Sequence, residues 1–250
     1  QGNAVDLGAY EGYTCPSANP VYVDQNAAGS NHGDSWANAF TNLQSALAVA
    51  RTCAGLDEIW VATGVYTPGL ARTDTFTLTS GVQLYGGFSA TETLRTQRDW
   101  PANPTIPSGD IGGDDTNPDG NHIAETPADI QNNNAYHVIW ADGVSTPITA
   151  TTIVDGFTIT AGQATGSDPD DSGGGFYCAG NGSGKECSPG LSNVTFSGNS
   201  AIYGGAMYNN GYRGISSPRL TNVTFSGNSA SSGGAMYNKR IFSTSMPQHS

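Results

Sequence analysis

The sequence predicts an all-β chain built as a parallel β-solenoid, and three observations carry that prediction. The segment LSNVTFSGNSAIYGGAMYN at 191–209 recurs as LTNVTFSGNSASSGGAMYN at 220–238, an offset of 29 residues with three substitutions. A period in that range marks a repeat array, in which each unit buries its apolar side only by stacking on a copy. The units carry no helical segment, which excludes leucine-rich, ankyrin and tetratricopeptide repeats. Leu191 and Phe196 are five apart. An odd separation cannot put both on one face of a straight strand, so a corner lies between them and each turn consists of several short strands.

Taken in order, residues 1–20 read as an irregular lead-in rich in Cys, Pro and Asn. The solenoid domain is expected over 21–238, followed by a non-repeat tail at 239–250. Near its start, Trp36, Phe40, Leu43, Leu47 and Ala50 fall at i, i+4, i+7, i+11 and i+14, one face of a helix spanning about 36–50. Asp34 or Ser35 is placed to cap its start and Gly55 lies past its end. A short amphipathic helix ahead of a repeat array serves most simply as a lid over exposed strand edges. The β-branched and aromatic runs EIWVATGVY (58–66), DTFTLTSGVQLYGGFS (74–89) and NAYHVIWADGV (134–144) read as early rungs. Between the last two lies a Pro-, Gly- and Asp-rich excursion that leaves the stack. VDGFTITAGQA (154–164) and GGGFY (173–177) align with the two halves of the clear repeat, with the acidic loop TGSDPDDS between them. They form a third, degenerate unit.

The 34 glycines, without a collagen triplet, fit frequent tight turns. Nine Lys and Arg against 21 Asp and Glu give a net charge of −12. Such a chain repels nucleic-acid phosphates and anionic lipid, and no apolar run reaches the length of a membrane span, so neither nucleic acid nor membrane insertion is expected. The four cysteines lack zinc spacing. Cys178 and Cys187 bracket a Gly-rich loop that a local bridge would close, which leaves Cys15 to pair with Cys53. Disulfides imply export to an extracellular or cell-surface location.

The repeats also carry a resemblance. FSGN at 196–199 and 225–228, followed by GGAM at 204–207 and 233–236, resembles the FxxN and GGA-plus-aliphatic repeats of polymorphic outer-membrane proteins, with Met in place of the usual aliphatic. The helix-then-EIWVATGVY opening is similar to the start of many pectate-lyase-like domains of secreted bacterial proteins, and DLGAYE at 6–11 resembles the closing segment of such modules. The resemblance implies a right-handed parallel β-helix and an exported bacterial protein. Fold alone does not select a reaction.

Candidate chemistry follows from what repeats and what does not. Asn193, Asn199 and Asn209 recur as Asn222, Asn228 and Asn238 and are expected to hydrogen-bond along the stack, with Phe196, Phe225, Met207 and Met236 as core. Asp155 falls where the clear repeats carry Ser192 and Thr221, either as a functional carboxylate or as a corner residue bonding its own backbone. Asp110, Asp114, Asp115 and Asp119 cluster within ten residues, flanked by His122 and Glu125. Such oxygen density can hold calcium, although the bidentate Glu of an EF-hand is missing; solvated loop acids are the plain alternative. The GGDD at 112–115 resembles the paired aspartates of polygalacturonase-type hydrolases, whose NTD, GHG and RIK elements are absent here. Asp168, Asp170 and Asp171 form a second acidic loop.

Two functions compete. One is hydrolysis of an extended polysaccharide by a carboxylate pair from Asp110, Asp114, Asp115 and Asp155, with Trp140, Tyr203, Tyr208, Tyr212 and Arg213 binding the glycan. The other is a non-catalytic adhesin or passenger module that meets a cell-surface glycan. A polysaccharide lyase is the weaker variant, because no Arg or Lys falls within a strand motif. Calcium is the one cofactor expected; no motif for an organic cofactor is present.

Overall fold

The computed structural model describes residues 15–240. The 6–11 segment and the last ten residues of the tail lie outside the described residues. Among the described residues the fold is predominantly β, with one α-helix, α1 (Leu43–Thr52), and a short 3-10 turn at Arg95–Gln97. Every strand pair in the described sheets is parallel.

The longest sheet runs Val21–Val23, Glu58–Ala62, Gln83–Phe88, Ile153–Asp155, Gly190–Ser197, Arg219–Ser226, with Thr158–Thr160 also paired to Gly190–Ser197. A second sheet runs Phe76–Leu78, Ile139–Asp142, Phe176–Ala179, Met207–Asn210, Met236–Lys239, and a third Gln163–Ala164, Ser200–Tyr203, Ser229–Ser232. Glu186–Cys187 pairs with Ile215–Ser216, and Gly64–Tyr66 with Thr105–Pro107. Within each sheet, spatial order follows chain order. From residue 190 the chain visits the long, third, second and a two-stranded sheet, then returns to the long sheet beside its previous passage.

Register explains the core. Ile59, Leu84, Val154, Leu191 and Leu220 align across the long sheet, and the first four are at most 2% exposed. Phe76, Ile139, Phe176 and Met207 do the same in the second sheet. Leu191 and Phe196 are both fully buried because the intervening Asn193 adopts φ 50°, and Asn222 φ 52°; this is the corner that their odd spacing requires. Asn tolerates the left-handed conformation better than most residues. The Gly-Gly pair of the repeat has a steric reason too: a Cβ on Gly205 would lie 2.3 Å from the Ser229 carbonyl oxygen of the next passage.

The repeat alignment is reproduced residue by residue. Leu191 pairs with Leu220, Phe196 with Phe225 and Met207 with Met236, while Val154, Ile159 and Phe176 of the degenerate unit pair with Leu191, Phe196 and Met207. All three asparagine pairs are bonded: Asn222 Nδ2 to Asn193 Oδ1 at 2.7 Å, Asn199 Nδ2 to Asn228 Oδ1 at 2.9 Å, and Asn209 Nδ2 to Asn238 Oδ1 at 2.7 Å.

The helix begins later than its periodicity suggests, at Leu43 rather than Trp36. The Phe40 N–H donates to the Tyr22 carbonyl at 2.9 Å and its own carbonyl accepts from Asp24 N–H at 2.9 Å, so residue 40 is drawn into a bridge with the first strand. Asn42, not Asp34 or Ser35, caps the helix by accepting from Gln44 N–H at 2.7 Å. Trp36 instead joins an aromatic cluster with Tyr22, Trp60 and Phe88. α1 packs on the first strands of the two larger sheets and buries Leu43, Ala46, Leu47, Val49 and Ala50. Both disulfides form as anticipated: Cys15–Cys53 anchors the end of α1, and Cys178–Cys187 closes its Gly-rich loop.

Residues 108–134 contain no strand. The excursion docks back on the stack: Ser197 Oγ donates to the Ala124 carbonyl at 2.8 Å, and Ala124 N–H donates to Thr160 Oγ1 at 3.0 Å.

Candidate functional site

The first turn of that excursion folds around Asp110. Its Oδ1 accepts the N–H groups of Gly113 at 2.7 Å and Asp114 at 3.1 Å, and its Oδ2 accepts that of Asp115 at 3.4 Å. This closed turn brings the next two acids back toward the first, and carboxylate oxygens of Asp110, Asp114 and Asp115 lie within 4.8 Å of one another. Asp119, counted with them in the sequence, is not part of this trio; it bonds Asn121, which also bonds Glu125.

The three acids differ in surroundings. Asp114 is exposed and accepts from Asn132 Nδ2. Asp115 is half-buried, with Oδ1 accepting Gln131 N–H at 2.7 Å and Oδ2 accepting Asn134 Nδ2 at 2.7 Å. Burial pushes Asp115 up to about 6, the charges of Asp110 and Asp114 add to the shift, and the two hydrogen bonds oppose it. Asn134 is fully buried; its Nδ2 also donates to the Ala161 carbonyl, whereas its Oδ1 has no partner. Asp110 and Asp115 line a cleft of about 350 Å³ with Val65, Ser108, His122 and Ile123. A cleft with one readily protonated carboxyl beside two others can donate a proton, or hold a hard cation.

Asp155 lies apart from this group. It pairs in register with Ser192, as the repeat alignment requires, but its Oδ2 lies 2.8 Å from Arg98 Nη2 and its Oδ1 accepts from Asn193 Nδ2 at 2.8 Å. Arg98 Nη1 also donates to the carbonyls of Gly86 and Asp155. Both partners of this ion pair are largely buried. Asp155 is thus the anchor of an arginine clamp on the long sheet and stands outside the Asp110–Asp114–Asp115 group.

The aromatic candidates divide. Trp140, Tyr177, Tyr208 and Tyr237 occupy one register line of the second sheet, with neighbouring ring centroids 4.2, 5.1 and 5.6 Å apart. Their faces cover one another, and Tyr208 is only 3% exposed. Tyr203 is 37% exposed and lies 5.4 Å from Tyr237. With Tyr208, Tyr237, Asp168, Asp171 and Lys239 it lines a second hollow of about 290 Å³. Tyr212 and Arg213 stack on each other in the next loop, 5.2 Å from guanidinium to ring centre.

No protein-family model, curated protein or solved structure matches the chain.

Sequence reasoning singled out the acids but not the residues that decide their roles. Arg98 sits in RTQRDW at 95–100, where nothing periodic marks it as a partner of Asp155. Asn134 opens an early rung, and only the fold brings it to Asp115. His137 is buried beneath the second acidic loop, its Nδ1 3.1 Å from the Gly173 carbonyl and its Nε2 3.5 Å from Asp170. Burial lowers its proton affinity, while Gly173 and Asp170 oppose the shift. No motif points to any of the three.

Proposed function

We propose that this chain is an exported right-handed parallel β-helix protein that hydrolyses an extended polysaccharide in the Asp110–Asp115 cleft. The ordered return of the chain to each parallel sheet supports the helix, and the strong preference of parallel crossovers for one hand supports its handedness. Two disulfides support export. The observation that carries the catalytic reading is the contrast within the trio: Asp115 is raised to about 6 while Asp114 stands exposed beside it.

Glycoside hydrolysis needs one carboxyl to protonate the leaving oxygen and another to act as nucleophile or base. Asp115 is the proton donor in this reading. Asp114, less enclosed, attacks the anomeric carbon, and the resulting ester is hydrolysed by a water whose proton returns to Asp115. Oxygens within 4.8 Å resemble the short carboxyl separation of about 5–5.5 Å in retaining enzymes, so retention of configuration is the expected outcome. Asp110 is held by three backbone N–H groups and serves as the organiser of the turn. Calcium would take the same oxygens, so in this scheme it competes with catalysis.

A second reading, the non-catalytic surface module, is favoured by one observation: the near-identical repeats satisfy their asparagines along the stack and leave no locally unique groove there. A panel of neutral and uronate polysaccharides separates the possibilities. New reducing ends without absorbance at 235 nm support the hydrolase, new reducing ends with it indicate a lyase, and neither favours the surface module.

A further inference from the structure

Resting on the hydrolase reading, we propose that the sugars bound in the Asp110–Asp115 cleft are uncharged: the substrate is a neutral polysaccharide, and polyuronates, sulfated glycans and glycans with free amines are poor ones. The placement of positive charge in the chain disfavours the anionic glycans. The proton that Asp115 has to deliver disfavours the cationic ones.

A bound uronate or sulfate is ordinarily met by a guanidinium or an ammonium. The chain has nine Lys and Arg, all of them within the described residues, and none lines the cleft. Arg95 pairs with Glu58 and Arg98 with Asp155. Arg72 comes to Asn134, the residue that bonds Asp115, but its Nε donates to the Asn134 carbonyl at 2.8 Å. Its Nη2 donates to the carbonyl and Oε1 of Gln163, both at 2.9 Å, and to Thr165 Oγ1 at 3.0 Å, while its guanidinium lies 4.2 Å from the Tyr136 ring centre. These bonds fix Arg72 among protein acceptors. His122 is the one lining side chain able to take a positive charge, against three carboxylates within 4.8 Å of one another. An anionic sugar therefore enters against like charge with no fixed cation to receive it.

A cationic sugar fails for the opposite reason. An ammonium beside Asp115 favours its carboxylate form, working against the burial that pushes the group up to about 6, and so removes the proton that the leaving oxygen needs. A neutral sugar meets neither obstacle. Val65 and Ile123 give the cleft an apolar wall for a sugar's C–H face, and the hydroxyls of Thr67 and Thr116 stand beside it.

The test uses pairs of polysaccharides that share a backbone and differ in charge, in α- and β-linked series: a polyuronate and its carboxyl-reduced form, and a glycan with free amines and its N-acetylated form. Reducing-end release by the whole protein is measured on each, in EDTA and in millimolar calcium. The neutral member of a cleaved pair is expected to have a kcat/KM at least about tenfold above its charged partner. Thr67→Lys, or the exposed Thr116→Lys, adds a cation at the cleft and should narrow the neutral-to-uronate ratio by about threefold or more. Equal rates within a pair, preference for the charged member, uronate cleavage restored by calcium, or a ratio that neither lysine variant moves overturns the inference and leaves the hydrolase standing. Cleavage of no member of any pair overturns the hydrolase reading and the inference with it.

Discussion

The repeat block at 190–239 and the excursion at 108–134 both carry many polar side chains, yet they satisfy them in opposite ways. In the block an asparagine finds its partner 29 residues away, on the copy stacked against it. In the excursion Asp110 finds its partners three to five residues away, in the backbone of its own turn. The first solution is periodic and neutral. The second gathers like charges at close range, which costs stability unless a proton or a cation relieves it. Stacking accounts for the asparagine pairs of the block, and the close carboxylates of the excursion are what it does not account for.

The largest expected effect is on the block. Phe196 is fully buried and stacked on Phe225, so Phe196→Ala should destabilise by about 3–5 kcal/mol in urea unfolding. Asp115 should keep its raised titration in whatever fraction remains folded. A loss under about 1 kcal/mol would mean that the stack is not the source of stability.

Next comes the arginine clamp. Arg98→Ala strands a largely buried Asp155 carboxylate and should cost about 3 kcal/mol, with Asp155→Asn costing less because the bond from Asn193 can be rearranged. If Arg98→Ala is neutral for stability but abolishes glycan cleavage, Asp155 and Arg98 belong to the active site and the division drawn above fails.

A smaller effect of opposite sign is expected at Asp115. Its folded value of about 6 lies above that of a free carboxyl near 4, so the fold favours the protonated form. That contribution is complete below about pH 4 and is lost as pH rises through 6. Asp115→Asn should therefore stabilise the protein at pH 8 and change little at pH 4. After discounting for its partial exposure the gain is about 1 kcal/mol, or about 2–4 °C in melting temperature. Destabilisation at pH 8 would make the Asp115 carboxylate a structural acceptor for Gln131 and Asn134.

The smallest effect is that of calcium. Millimolar calcium should raise the melting temperature at pH 8, and the rise should vanish in Asp114→Ala/Asp115→Ala. An equal rise in the double variant would place the ion elsewhere.

Much of this was legible in the sequence because a repeat states its own contacts. The register of 191 with 220, the corner forced by Leu191 and Phe196, the asparagine pairs and the degenerate unit at 154 all follow from one period. The helix start was not legible, because Phe40 fits the helical face yet is drawn into a bridge with Val23, a tertiary contact that periodicity does not encode. Trp140 and Tyr208 suggested flat platforms for sugars, but one-per-passage spacing turns their rings against each other. The partner of Asp155 was hidden for another reason: Arg98 lies 57 residues away, in a stretch without pattern. The grouping of the acids was half visible, since proximity in the chain suggested four and the Asp110 turn selects three.

The most direct test of the account is the rate of reducing-end release by Asp115→Asn and Asp155→Asn proteins, compared at matched folded fraction on whichever polysaccharide the wild type cleaves. The account predicts a fall of at least about a hundredfold for Asp115→Asn, in keeping with the loss of a general acid, and a near-normal rate for Asp155→Asn. Full activity in Asp115→Asn, or cleavage of no polysaccharide by the wild type, would contradict it.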